Sequence, residues 1–142
     1  MKLNVIEEVD ITRDVRMIVD IDDQNLTDEY TSVAHHLAVW GERYARAQEQ
    51  YLRAKLGREH REARLRLTLR EEYEADPKNR RCTEAQLDAM GKAHDEYAGA
   101  KVAEIEAEGQ SLRIRGVLGS LRTKADMLIS LGAAQRAEMR SM

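Results

Sequence analysis

The sequence predicts an all-α fold: an elongated antiparallel hairpin of two long helices behind a short acidic N-terminal arm, assembling into a homo-oligomer. Three observations predict it. Tyr30, Val33, Leu37, Trp40, Tyr44, Ala47, Tyr51 and Ala54 recur at alternating steps of three and four, a heptad seam along one stripe of a helix. The composition is that of long helices, rich in Ala, Leu, Glu and Arg, with 35% charged residues and no Phe. The single proline, Pro77, divides the chain into two long proline-free stretches. At 142 residues the chain is one domain of ordinary size. Its apolar stripe is narrow, and such a stripe needs another chain to cover it, hence the expected assembly.

Residues 1–26 read as an acidic arm and 27–142 as the hairpin that oligomerises. In the arm Val15, Met17, Val19 and Ile21 alternate with Arg16, Ile18 and Asp20, which allows a short strand. Thr27 is the expected N-cap of the first helix, with Asp28 and Glu29 near the positive end of its dipole. The seam shifts phase after Ala54, where Leu52, Leu56, Ala63 and Leu67 form the better apolar stripe, as a stutter does in a coiled coil. The helix is expected to end near Ala75, before Asp76-Pro77, and residues 76–82 form a loop. Thr83-Glu84-Ala85-Gln86 matches a capping box. One long helix then follows from about residue 84 to 138, bent near Gly109 or Gly116. Leu87, Met90, His94 and Tyr97 start its apolar spacing, and Ile114, Leu118, Leu121, Ala125 and Leu128 resume it.

The formal net charge of −3 hides a polarity along the chain. Residues 1–30 carry three bases and nine acids, a net of −6, and residues 31–72 carry nine and six, a net of +3. Residues 73–109 carry five and nine, a net of −4, and residues 110–142 carry six and two, a net of +4. Such blocks mark a local anion-binding surface that the whole-chain charge conceals, and an acidic arm able to compete for it or to dock a basic protein.

The inventory for catalysis is thin, and no enzyme activity is expected. The four histidines, His35, His36, His60 and His94, form no Glu-x-x-His or His-Glu-x-x-His pattern. His35 and His36 are adjacent and so point apart on a helix, where they flank the seam. Asp20-Ile21-Asp22 lacks the glycine and distal glutamate of a calcium loop, so no metal and no cofactor are expected. There is no glycine-rich phosphate loop. Cys82, the lone cysteine, reads as an inert surface thiol in a reducing cytosol. No apolar run approaches the roughly 20 residues of a membrane span, and the N-terminus has no cationic-then-apolar signal. A soluble cytoplasmic protein, without a membrane partner, is the expectation.

The basic run is the strongest functional signal. From Arg53 to Arg70 stand Arg53, Lys55, Arg58, Arg61, Arg64, Arg66 and Arg70, against only Glu59 and Glu62, so they cannot all pair within the helix. Arginine forks bind phosphates, and each phosphate neutralised releases counterions. Arg113, Arg115, Arg122 and Lys124 form a second group, which an antiparallel hairpin would bring opposite residues 37–50. The expected nucleic-acid contacts are therefore Lys55, Arg58, Arg61, Arg64, Arg66, Arg70, Arg113, Arg115, Arg122 and Lys124. The expected packing and assembly positions are Tyr30, Val33, Leu37, Trp40, Tyr44, Tyr51, Leu118, Leu121 and Leu128. Trp40 and Tyr44 share the seam and are assigned to packing, which leaves Tyr73, beside the loop, as the better base-stacking candidate.

In their order these features resemble the phage recombination mediator family, the UvsY-like proteins. The resemblance starts at Asp20-Ile21-Asp22, continues through Leu26 to Leu37-Ala38-Val39-Trp40, and spans roughly residues 15–135. Ala63-Arg64-Leu65 sits where that family carries a Lys-Ala-Arg-Leu motif implicated in single-stranded DNA binding. Here Glu62 replaces the lysine, while Arg61, Arg64 and Arg66 surround it. Leu121-Arg122-Thr123-Lys124-Ala125-Asp126-Met127-Leu128 resembles the family's terminal helix, which is tied to oligomerisation. The resemblance implies a ring-like homo-oligomer of six or seven subunits that binds single-stranded DNA. It also implies loading of a RecA-like recombinase and displacement of single-strand-binding protein, in recombination and the repair and replication that depend on it. If phage-encoded, the protein would act in the host cytoplasm. The competing expectation is a coiled-coil structural or adaptor protein, such as a phage assembly factor or chaperone, whose arginines are merely solvated.

Overall fold

The computed structural model describes residues 11–142, with side chains from Val15 onward. Four helices make up the fold: α1 (Ile11–Val19), α2 (Leu26–Ala75), α3 (Glu84–Lys92) and α4 (Asp95–Ser141). No strand occurs among the described residues, and the long helices pack against one another. No helix among them is long and apolar enough to cross a membrane.

Residues 15–19 correct the strand expectation. Val15, Ile18 and Val19 are half-buried while Arg16 and Met17 are exposed, which is one face of a 3.6-residue period rather than an alternation. Ile18 decides the matter, because a strand would place it on the polar face. Helix α2 starts at Leu26, so Thr27 lies in its first turn and is not the cap. Asn25 takes that position, its carbonyl accepting the Glu29 N–H at 3.1 Å. An Asp22 turn leads into it, with the Gln24 N–H donating to Asp22 Oδ1 at 3.0 Å.

Ala75 ends α2 as expected. The capping box forms in full: Thr83 Oγ1 accepts from the Gln86 N–H at 3.2 Å and Gln86 Oε1 from the Thr83 N–H at 3.0 Å. The helix that follows is not continuous, and it breaks at Ala93-His94, ahead of the expected bend. The Ala93 N–H closes α3 on the Ala89 carbonyl and the His94 N–H on the Gly91 carbonyl, both at 3.1 Å. His94 Nδ1 then accepts the Glu96 N–H at 3.2 Å and serves as a cap for α4. A histidine cap has no common sequence signature. Gly109 and Gly116 both lie inside α4 without interruption.

The chain forms two compact units. In the first, residues 11–44 pack with 113–142, and α1, the start of α2 and the end of α4 share a core. Val33 and Trp40 from α2 meet Ile114, Val117, Leu118, Leu121 and Leu128 from α4 as its buried side chains, Leu121 and Leu128 with no exposed surface at all. Tyr30 donates its hydroxyl to the Leu128 carbonyl at 2.5 Å. In the second unit, Ala45–Leu112, the core is smaller: Ala47, Leu65, Cys82, Leu87 and Ala100. Here α2 and α4 run antiparallel, since Gln48 meets Ser111 and, ten residues on, Arg58 meets Glu104. Cys82 corrects the surface-thiol expectation: it is buried, with its N–H donating to Glu74 Oε1 at 3.2 Å.

Candidate nucleic-acid interface

Charge along α2 sorts into two groups once the partners are known. Arg58 is half-buried on the packed side of α2. Its Nε donates to Glu104 Oε2 at 2.7 Å and its Nη1 to Glu62 Oε2 at 2.9 Å, with Glu59 at 3.6 Å. Glu104 is itself buried and also faces Lys101 Nζ at 3.5 Å. The hydrogen bond to Glu104 comes first in holding Arg58 protonated well above the ordinary arginine range. The same bond comes first in holding Glu104 below the ordinary carboxylate range.

Arg66 and Arg70 are engaged as well. Arg66 bonds Asp88 and Glu84 of α3, and Arg70 bonds Glu84 at 2.7 Å. An arginine pair four residues apart thus meets an acidic pair four residues apart, and these contacts dock α3 on α2. Lys124 has only 3% of its side chain exposed; its Nζ lies 2.6 Å from Glu29 Oε2 and donates to the Ile18 carbonyl at 2.8 Å. Arg58 and Lys124 are therefore removed from the expected DNA-contact set by burial, and Arg66 and Arg70 present a charge already balanced inside the fold.

The other group is open. Arg61, Arg64, Arg115 and Arg122 are exposed and make no ion pair or side-chain hydrogen bond among the described residues. Lys55 is half-buried and likewise unpaired, and Arg113 is exposed. Lys55, Arg61 and Arg64 belong to the second unit, Arg113, Arg115 and Arg122 to the first. The expected packing positions are taken up within the chain itself: Val33, Trp40, Leu118, Leu121 and Leu128 are buried, and Leu37, Tyr44 and Tyr51 half-buried. Tyr30 is more exposed but anchored through its hydroxyl. Tyr73, the stacking candidate, is half-buried, with Gln86 Nε2 donating to its hydroxyl at 3.4 Å.

The phase shift expected after Ala54 does not occur. Leu52, Leu56 and Leu67 are exposed, Leu56 at 67%, and Ala63 with them. The buried stripe keeps its old phase through Ala54, Arg58, Glu62, Leu65, Leu69 and Tyr73. A charged pair occupies the seam where apolar side chains were sought. Sequence reasoning missed Glu104, although counting back from Ile114 by threes and fours reaches Ser111, Ala107, Glu104 and Ala100, the packed face of α4. The matched spacing of Arg66/Arg70 and Glu84/Asp88 was the other available signal.

No group of three or more His, Cys, Asp or Glu side chains is arranged to hold a metal ion among the described residues. The arrangement offers solvent-facing guanidinium groups on a helical scaffold, which is chemistry for binding an anion.

Comparison with known structures places the fold. The crystal structure of the bacteriophage T4 recombination mediator protein UvsY matches with a TM-score of 0.74, covering 94% of this chain and 99% of that one, at 13% sequence identity. No protein-family model matches the sequence, and no curated protein matches it significantly.

Proposed function

We propose that this chain, which carries the fold of a phage recombination mediator, is itself a non-enzymatic recombination mediator. It binds single-stranded DNA as a homo-oligomer and promotes loading of a RecA-like recombinase in place of single-strand-binding protein. The observation that carries the reading is the pair Arg61 and Arg64, two exposed guanidinium groups on α2 without a carboxylate partner. They stand beside Leu65, at the place where the sequence resembles the family's DNA-binding motif. The fold likeness supports the reading because it extends over nearly the whole of both chains. Lys55, in the same unit, adds a further cation on α2, and Arg115 and Arg122 are candidate contacts of the other unit. Contacts of this kind read phosphates rather than bases, so binding is sequence-independent and salt-sensitive. Repetition of the site over an oligomer raises the overall affinity by avidity. Such a protein works in the cytoplasm of the cell that holds the DNA.

The test is fluorescence anisotropy of a labelled oligo(dT) at several salt concentrations. The Arg61→Ala/Arg64→Ala protein should bind more weakly, and its salt slope should be shallower by roughly 0.7 for each phosphate no longer neutralised. Its mass by light scattering should stay that of the parent. Unchanged affinity in low salt overturns the assignment. A parent protein that fails to shift oligo(dT) at all leaves the adaptor reading in its place.

A further inference from the structure

One flank of α2 already holds anions, and they belong to the chain. Arg66 bonds Asp88 and Glu84, and Arg70 bonds Glu84 at 2.7 Å. The two arginines are a helical turn apart on α2, about 6 Å along its axis, and the two acids have the same spacing on α3. Neighbouring phosphates of a nucleic-acid strand have a comparable separation. Two carboxylates thus meet two guanidinium forks in the way that two successive phosphates would. At about 100° per residue this flank lies across the helix from Arg61 and Arg64, so it is a separate site.

These ion pairs are exchangeable. The Glu84 and Asp88 side chains are 72% and 55% exposed, so water and salt reach them, and pairs in that setting contribute little to stability. The seat of α3 is formed by other groups. Leu87 and Gly91 are buried, as is Cys82 just before the helix, and Gln86 donates to the Tyr73 hydroxyl. The carboxylates can therefore swing out while α3 stays docked. The loop that leads into α3 supplies the attraction for a polyanion. Its Lys78, Arg80 and Arg81 are exposed, and their side chains make no ion pair or hydrogen bond among the described residues.

We propose that Arg66 and Arg70 form a second nucleic-acid phosphate site, which Glu84 and Asp88 of α3 occupy as stand-ins until a strand displaces them. The inference rests on the DNA-binding reading above and adds a built-in competitor to it. The acids are tethered beside the arginines, so an isolated phosphate competes poorly with them. A strand drawn to Lys78, Arg80 and Arg81 delivers its next phosphates at high local concentration and displaces the carboxylates. The α3 acids therefore set a threshold that short or weakly held anions do not pass.

The test measures binding of labelled oligo(dT) to variants of the full chain. Glu84→Gln/Asp88→Asn should keep the parent's helicity and bind several-fold more tightly. Its salt slope should be steeper by roughly 0.7 for each phosphate newly neutralised. Glu71→Gln/Glu72→Gln removes the same charge from two exposed, unpaired acids just past Arg70, and should gain less. Adding Arg66→Gln/Arg70→Gln to the Glu84→Gln/Asp88→Asn protein should abolish its gain. A second measurement needs no substitution: saturating oligo(dT) should speed amide hydrogen exchange in α3 of the parent, because its ion pairs to α2 are then broken. A gain no larger than that of Glu71→Gln/Glu72→Gln, a gain that survives loss of Arg66 and Arg70, or α3 exchange that is unchanged or slowed overturns the proposal. A parent that binds through Arg61 and Arg64 while any of these holds leaves the mediator reading standing. A parent that ignores oligo(dT) while the Glu84→Gln/Asp88→Asn protein binds it through Arg66 and Arg70 supports the masked site and overturns the mediator reading. If neither protein binds in low salt, both are overturned.

Discussion

Arg58 reaches Glu104 across the packed face of α2 and α4 at 2.7 Å, and the two residues occupy a step of the seam that elsewhere holds Ala47, Ala54 and Leu65. A buried ion pair costs desolvation on both sides, so it fixes which residues face each other more than it stabilises. Removing one partner leaves the other charged and unpaired. Arg58→Met should lower the midpoint of urea unfolding, Glu104→Leu should do the same, and the double variant should recover most of the loss. A double variant as unstable as the sum of the singles would show that no coupling exists between the two. DNA binding by folded Arg58→Met protein should match the parent, in contrast with the Arg61/Arg64 variant.

The same pair predicts an acid limb of stability, and His36 a second one at higher pH. Glu104 has its ionisation shifted down by the Arg58 hydrogen bond, so its contribution is present above the ordinary carboxylate value of 4.5 and is lost as pH falls below it. His36 is shifted down from 6.5 by burial first, then by His35 and Lys124, with Glu29 opposing. Its Nδ1 is buried and has no hydrogen-bond partner among the described residues. The unfolded chain therefore binds its proton more readily, and stability declines as pH drops below about 6.5. Thermal melts across pH should show both limbs. His36→Gln should flatten only the upper limb, and Glu104→Gln only the lower.

Lys124 ties three elements of the first unit together. Its Nζ binds Glu29 near the start of α2 and the Ile18 carbonyl at the end of α1. A cation also suits a helix C-terminus, where carbonyls lack partners. Lys124→Met should cost about 3 kcal/mol, because Glu29 is left without its counter-charge. It should also speed thermolysin cleavage between α1 and α2. Cleavage at the parent rate would mean that the lysine does not hold α1 in place.

The helices of this chain are largely legible in its sequence because their signals are local. The heptad count locates α2, Asp76-Pro77 ends it, and Thr83 with Gln86 opens α3. What sequence misses depends on partners distant along the chain. Arg58, Arg66, Arg70 and Lys124 read as available cations, yet their carboxylates sit 46, 18, 14 and 95 positions away. Periodicity sorts apolar from polar, so a seam position filled by a charged pair looks like a change of phase. That is why Leu52, Leu56 and Leu67 read as packing positions although they face solvent.

Gly132 and Tyr30 give a prediction about packing alone. A Cβ added at Gly132 would come within 2.8 Å of the Tyr30 hydroxyl, the group that donates to the Leu128 carbonyl. Glycine inside a helix costs about 1 kcal/mol relative to alanine, so an unhindered substitution should stabilise by that amount. Gly119 is such a position, in the same helix, with nothing within 4 Å of an added Cβ. Gly119→Ala should raise the melting temperature by roughly 2–4 °C for a chain of this size. Gly132→Ala has the same propensity gain but must displace the tyrosine hydroxyl, whose hydrogen bond contributes about 1 kcal/mol. The two effects should nearly cancel. In a Tyr30→Phe background, where the hydroxyl is already gone, Gly132→Ala should recover the stabilisation seen at Gly119. Equal effects of Gly132→Ala in both backgrounds would show that the close approach does not govern this site.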